Sequence, residues 1–147
     1  MTAKQYLQRY RTLEGNFKVA IEELKNVENE MITLKSPTLG DKVQTSPQND
    51  PIGEIVINLE KQKAKMGMKI VNYKRQMLTI RNQITKLEKV NDEYCDILLL
   101  RYVLYKDWKF ICNSLNMCRA QANIVHGKAL QEFDGIYGGN YHENEDV

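Results

Sequence analysis

Arg119, Gln121, Asn123 and Lys128 bring a guanidinium, two carboxamides and an ammonium into ten residues of sequence. Those are the groups that read nucleic acid. A guanidinium forks onto guanine O6 and N7, and a carboxamide onto adenine N6 and N7. Lys128, Lys109 and His126 are placed to meet phosphates, which fixes orientation and carries no base preference. Side chains of this kind are also what any solvated helix face displays. For His126, a ring packed beside Gly127 is the stronger expectation. The chemistry therefore depends on whether one element can present these groups together.

Residues 107–133 supply such an element. Trp108, Ile111, Cys112 and Leu115 fall at i, i+3, i+4 and i+7, one apolar stripe with Asp107 as its N-cap. Ala122, Val125, Ala129, Leu130 and Phe133 repeat the spacing and leave Arg119, Gln121, Asn123 and Lys128 outward. Two amphipathic helices this close must fold back at Asn116-Met117. That is a helix-turn-helix, whose second helix can enter a DNA major groove. The preceding stretch, Asp92 to Leu104, is apolar nearly all round through Ile97, Leu98, Leu99, Leu100 and Val103, as a helix buried beneath such a pair must be.

Upstream, two heptad seams are visible. Tyr6, Tyr10, Leu13, Phe17, Ala20, Leu24, Val27, Met31 and Leu34 alternate at +4 and +3, with Thr2 as N-cap and Pro37 ending the helix. Ile52, Val56, Leu59, Lys63, Met66, Ile70, Tyr73, Met77, Ile80, Ile84 and Leu87 keep the same alternation, with Asp50 as cap and Pro51 at N1. A polar linker, 36–50, separates them. The predicted fold is all-α: a long antiparallel helical hairpin over residues 1–90, then a trihelical helix-turn-helix domain over 91–134, then a frayed acidic tail over 135–147. Pairing of the two seams between chains instead of within one is left open by the sequence. Met66, Met68 and Met77 read as gap-fillers of the hairpin.

The order of elements resembles a known group. Leu98-Leu99-Leu100-Arg101-Tyr102, then Trp108 to Leu115, then His126-Gly127-Lys128-Ala129-Leu130, is similar to the fourth region of sigma factors. More specifically it resembles the ArpU-like late transcriptional regulators of Gram-positive phages and prophages, as do Met1 to Leu7 and Asp41 to Ser46. The resemblance implies a sequence-specific DNA-binding regulator of transcription. Its partners would be double-stranded DNA and host RNA polymerase, with the helical arm forming a homodimer or higher oligomer. The chain departs from the pattern at Asn116, where Gly is usual but Asn tolerates a left-handed backbone. It departs again at Cys118, a poor cap acceptor expected to cost about 1 kcal/mol, and at Ala122, where Val is common.

Composition narrows the alternatives. Three cysteines (Cys95, Cys112, Cys118) lack zinc-site spacing and cannot all pair within one chain, so reduced thiols in a cytoplasmic protein are expected. The N-terminus has no apolar core of a signal peptide, and the longest aliphatic run, Ile97 to Leu100, is too short to span a membrane. No Gly-rich phosphate loop, paired histidines or nucleophile–base arrangement occurs. An enzyme, a catalytic residue, a metal and a cofactor are therefore not expected. Charge runs against DNA binding: residues 52–90 hold nine basic and three acidic side chains, whereas residues 91–147 hold five basic and nine acidic. A helical adaptor that binds protein is the alternative from another class. A DNA-recognition subunit of a phage packaging machine is a third, marked by ring-like or higher oligomers.

Overall fold

A computed structural model describes residues 1–35 and 51–142. The linker expected at 36–50 and the last five residues lie outside the described residues. Among those described there is no strand, and the chain is all-α. Its helices are α1 (Ala3–Lys35), α2 (Pro51–Thr85), α3 (Asp92–Leu98), α4 (Trp108–Leu115), α5 (Arg119–Tyr137) and α6 (Gly139–His142). A 3₁₀ turn, Lys86–Lys89, leads from α2 toward α3.

Helix starts are set by local side chains. Thr2 Oγ1 accepts from the Gln5 N–H at 3.3 Å while Gln5 Oε1 accepts from the Thr2 N–H at 2.9 Å, a reciprocal capping box on α1. Pro51 opens α2, where its missing N–H costs nothing. Asn91 caps α3 by accepting from Glu93 N–H, a cap the sequence reading overlooked.

The chain divides into two compact units, Met1–Glu14 with Lys74–Val147, and Gly15–Tyr73. This differs from the division expected at residue 90. The start of α1, the end of α2 and the turn after it belong with the helix-turn-helix: Leu7, Ile84 and Leu87 are fully buried in the same unit as Ile97, Leu98, Ile111 and Phe133.

In the first unit Tyr6 Oη donates to the buried Gln83 Oε1 at 2.8 Å, and Arg9 reaches Gln76. In the second, Glu28 pairs with Lys63 at 3.5 Å and Lys35 with Glu60 at 3.6 Å. In each unit the α2 number falls as the α1 number rises, so the helices are antiparallel, and the pairing is made within one chain. The second unit's core is thin: Val27, Met31 and Leu59 are buried, with Leu34 and Met66 packed against them. Lys63, the seam's one charged member, stays half-exposed and answers Glu28. Met68 is not a gap-filler; it is 77% exposed, while Met77 is buried.

The expected frayed tail is also corrected over 135–142. Helix α5 runs on to Tyr137, and α6 returns the chain so that Tyr141 is 1% exposed. Tyr141 stacks on Tyr6 at 4.6 Å between ring centroids, and its hydroxyl donates to Asp134 Oδ1 at 2.6 Å. His142 Nε2 lies 2.8 Å from the same oxygen. Gly138 makes this return possible: a Cβ there would collide with the Asp134 carbonyl oxygen and sit 2.8 Å from the His142 ring. The glycines read as fraying are partly a requirement for close packing.

Candidate nucleic-acid interface

The pair α4–α5 has the expected local chemistry at each junction. Asp107 Oδ1 accepts from the Phe110 N–H at 2.8 Å and caps α4. Asn116 ends α4 in the left-handed region (φ 52°, ψ 49°), where an Asn side chain is tolerated and a β-branched one is not. Cys118 then caps α5. Its thiol accepts from the Gln121 N–H at 3.5 Å, the long, weak form of a hydroxyl cap.

Beneath the pair lies α3, extended by an unusually wide turn, Leu99–Val103, in which hydrogen bonds reach five residues back. The Leu104 N–H bonds to the Leu99 carbonyl, five residues back, and the Lys106 N–H to that of Leu100, six back. Tyr105 follows at φ 55°. A left-handed conformation costs a non-glycine residue about 1–2 kcal/mol, and wide turns of this sort collect at functional sites.

Ala122, Val125, Ala129 and Phe133 form the buried face of α5, as the spacing predicted, while Leu130, expected with them, is only half-buried. The six residues expected to contact nucleic acid are distributed less simply. Arg119, Gln121, Asn123, Lys128 and Lys109 are all exposed. At about 100° per residue, however, Arg119 and Asn123 share one flank of α5 while Gln121 and Lys128 share the other, roughly half a turn away. The centre of the outward face belongs to Ala120, Ile124, Gly127 and Gln131, which are exposed and uncharged. The helical period alone picks these positions out, although three of the four carry no polar side chain.

Gly127 does not permit close helix approach within the protein. A Cβ at that position would meet nothing within 4 Å, and the residue faces solvent. Ile124, 59% exposed, offers an apolar surface of the kind that meets a thymine methyl.

His126 is part of the packing and carries no charge to a phosphate. Its Nε2 lies 2.8 Å from Tyr102 Oη, its ring stacks on Tyr102, and Trp108 meets it edge-on at 4.9 Å. Burial lowers its pKa to about 4, and Lys4, Arg101 and Arg119 push in the same direction. Trp108 in turn carries two guanidiniums, Arg101 at 5.0 Å and Arg119 at 4.4 Å from the ring centroid. Cation–π contact holds Arg119 at the first turn of α5 without neutralising it. Three cations thus converge around a neutral histidine, a concentration of positive charge hidden by the net acidity of residues 91–147. Sequence reasoning missed Arg101 and Lys4 because both lie on other helical segments.

Cys95 is fully buried, and desolvation with help from Glu88, Asp96 and Asp92 pushes its thiol up to about 11. Among the described residues no cluster of His, Cys, Asp and Glu is suited to hold a metal ion. No helix among them is long and apolar enough to cross a membrane. Comparison with known protein families, with curated proteins and with solved structures found nothing that matches this chain.

Proposed function

We propose that this chain is a sequence-specific DNA-binding protein that regulates transcription in the cytoplasm, in the manner of the phage regulators its motifs resemble. The observation that carries the reading is the α4–α5 pair. Both helices are capped, the turn between them is left-handed at Asn116, and α5 is buried on one face and open on the other. A helix exposed in this way can lie in a major groove with its first turns against base edges. Small residues at the centre of its outer face, Ala120 and Gly127, favour close approach. Arg119 and Asn123 would read bases from one flank; Gln121 and Lys128 would work from the other. Lys109 and Lys128 would meet phosphates.

The helical hairpin would supply self-association or a contact with RNA polymerase. Ile57, Met68 and Val71 on α2 are exposed apolar residues suited to either. The same residues favour the adaptor reading, in which the hairpin is the working surface and no DNA is bound.

The decisive experiment is selection from a pool of random duplexes at two salt concentrations. An enriched motif whose affinity falls steeply with salt is expected. Arg119→Ala should then weaken and relax base preference, whereas Lys128→Ala should weaken all sequences about equally. No enrichment at low salt would move the function to the hairpin and the adaptor class.

A further inference from the structure

Beside the wide turn is a partly open cleft of about 290 Å³, lined by Gln8, Arg11, Arg101, Tyr102 and Tyr105. Two guanidiniums and an amide line it; Glu14 is not among the lining residues, though its carboxylate lies against the Tyr105 hydroxyl. Both arginines are held in place. Arg101 donates to the Lys106 carbonyl at 3.2 Å and lies over Trp108; Arg11 lies over the Tyr105 ring at 5.3 Å. Each guanidinium has five N–H donors, so these contacts leave donors available.

The aromatic walls are committed elsewhere. Tyr102 Oη is engaged with His126, and the Tyr105 ring is taken by Arg11 on one side with Tyr10 tilted against it at 6.4 Å. What the cleft still offers is forked N–H groups. Two guanidiniums and an amide provide more donors than the two oxygens of a carboxylate can use, and they match a phosphate with its three or four acceptors. The segment that forms one wall also contains the left-handed Tyr105 and the wide turn of Leu99–Val103. Backbone strain of that kind is retained where it shapes a site.

We propose that this cleft binds a phosphate group, held by Arg11 and Arg101 with the Gln8 amide beside them. The phosphate is either one of a DNA backbone or that of a free phosphorylated molecule, and the chemistry of recognition is the same. The backbone source rests on the DNA-binding reading; the free source does not.

Trp108 is the only tryptophan in the chain and lies under Arg101, so its emission reports on the cleft. Inorganic phosphate is titrated into the full chain at constant ionic strength, with chloride as the control anion. A duplex of mixed sequence is titrated separately. Wild type is compared with Arg11→Gln and Arg11→Lys, all checked for helicity by circular dichroism. A saturable response to phosphate that weakens about tenfold in Arg11→Gln, with partial recovery in Arg11→Lys, assigns a free phosphate. Loss of about tenfold on the duplex, with the salt dependence reduced by about one ion, assigns a backbone phosphate. Phosphate binding without any duplex binding would sustain the cleft and remove the DNA-binding reading. If a folded Arg11→Gln protein matches wild type with both probes, or chloride reproduces the phosphate response, the proposal is overturned.

Discussion

The two compact units are built on the same kind of heptad seam and end with very different interiors. In the unit formed by Met1–Glu14 and Lys74–Val147, Tyr6, Leu7, Ile84 and Leu87 are buried, with Tyr6 packed against Phe133 of α5 and Tyr141 of α6. In Gly15–Tyr73 the buried seam residues among those described are Ala20, Val27, Met31 and Leu59, while Ile55, Ile57, Met68 and Val71, off the seam, stay outside. Two helices have one shared seam. A third layer is what converts a seam into a core. The difference also separates polar roles: buried hydrogen bonds such as Tyr6–Gln83 occur in the first unit, while half-exposed ion pairs such as Glu28–Lys63 serve the second.

The comparison can be tested by truncation. Tyr141→Ala removes a buried ring stacked on Tyr6 and should destabilise the first unit by about 3–5 kcal/mol, read by urea denaturation. Leu59→Ala should cost less, about 2 kcal/mol, because a two-helix interface collapses more readily around the gap. Equal losses from the two truncations would show that the second unit has a core as unforgiving as the first.

His126 gives a pH-dependent effect that belongs to the first unit alone. Its folded pKa is about 4 against an ordinary 6.5, so between those values the unfolded chain binds the extra proton. Its contribution to stability is therefore complete above pH 6.5 and is lost as pH falls toward 4. The slope of stability against pH in that window should flatten in His126→Gln. An unchanged slope would place the histidine in ordinary solvent.

The smallest change is a gain. Gly127→Ala adds a Cβ into open space in mid-helix, and should stabilise the chain by up to about 1 kcal/mol. If α5 lies in a groove, larger side chains at 127 should weaken duplex binding while keeping that helical gain. A bulky residue there with full affinity would move the contact surface away from this face.

Local chemistry was legible along the chain itself. Thr2, Pro51, Asp107 and Asn116 mark ends and turns because the groups that satisfy a helix terminus are neighbours in sequence. The seams and the buried face of α5 follow from period alone. The tail and the domain boundary were not legible, because both depend on distant partners: Tyr141 is fixed by Tyr6 and Asp134, and the start of α1 by residues beyond 80. The candidate interface divides in the same way. Arg119, Gln121, Asn123 and Lys128 could be named from the helix that carries them. The charge state of His126, the meeting of Arg101 and Arg119 on Trp108, and the cleft between Arg11 and Arg101 could not. Sequence determined what lies within a helical turn of itself. Burial and charge sum over everything nearby in space, and only the tertiary structure decided those.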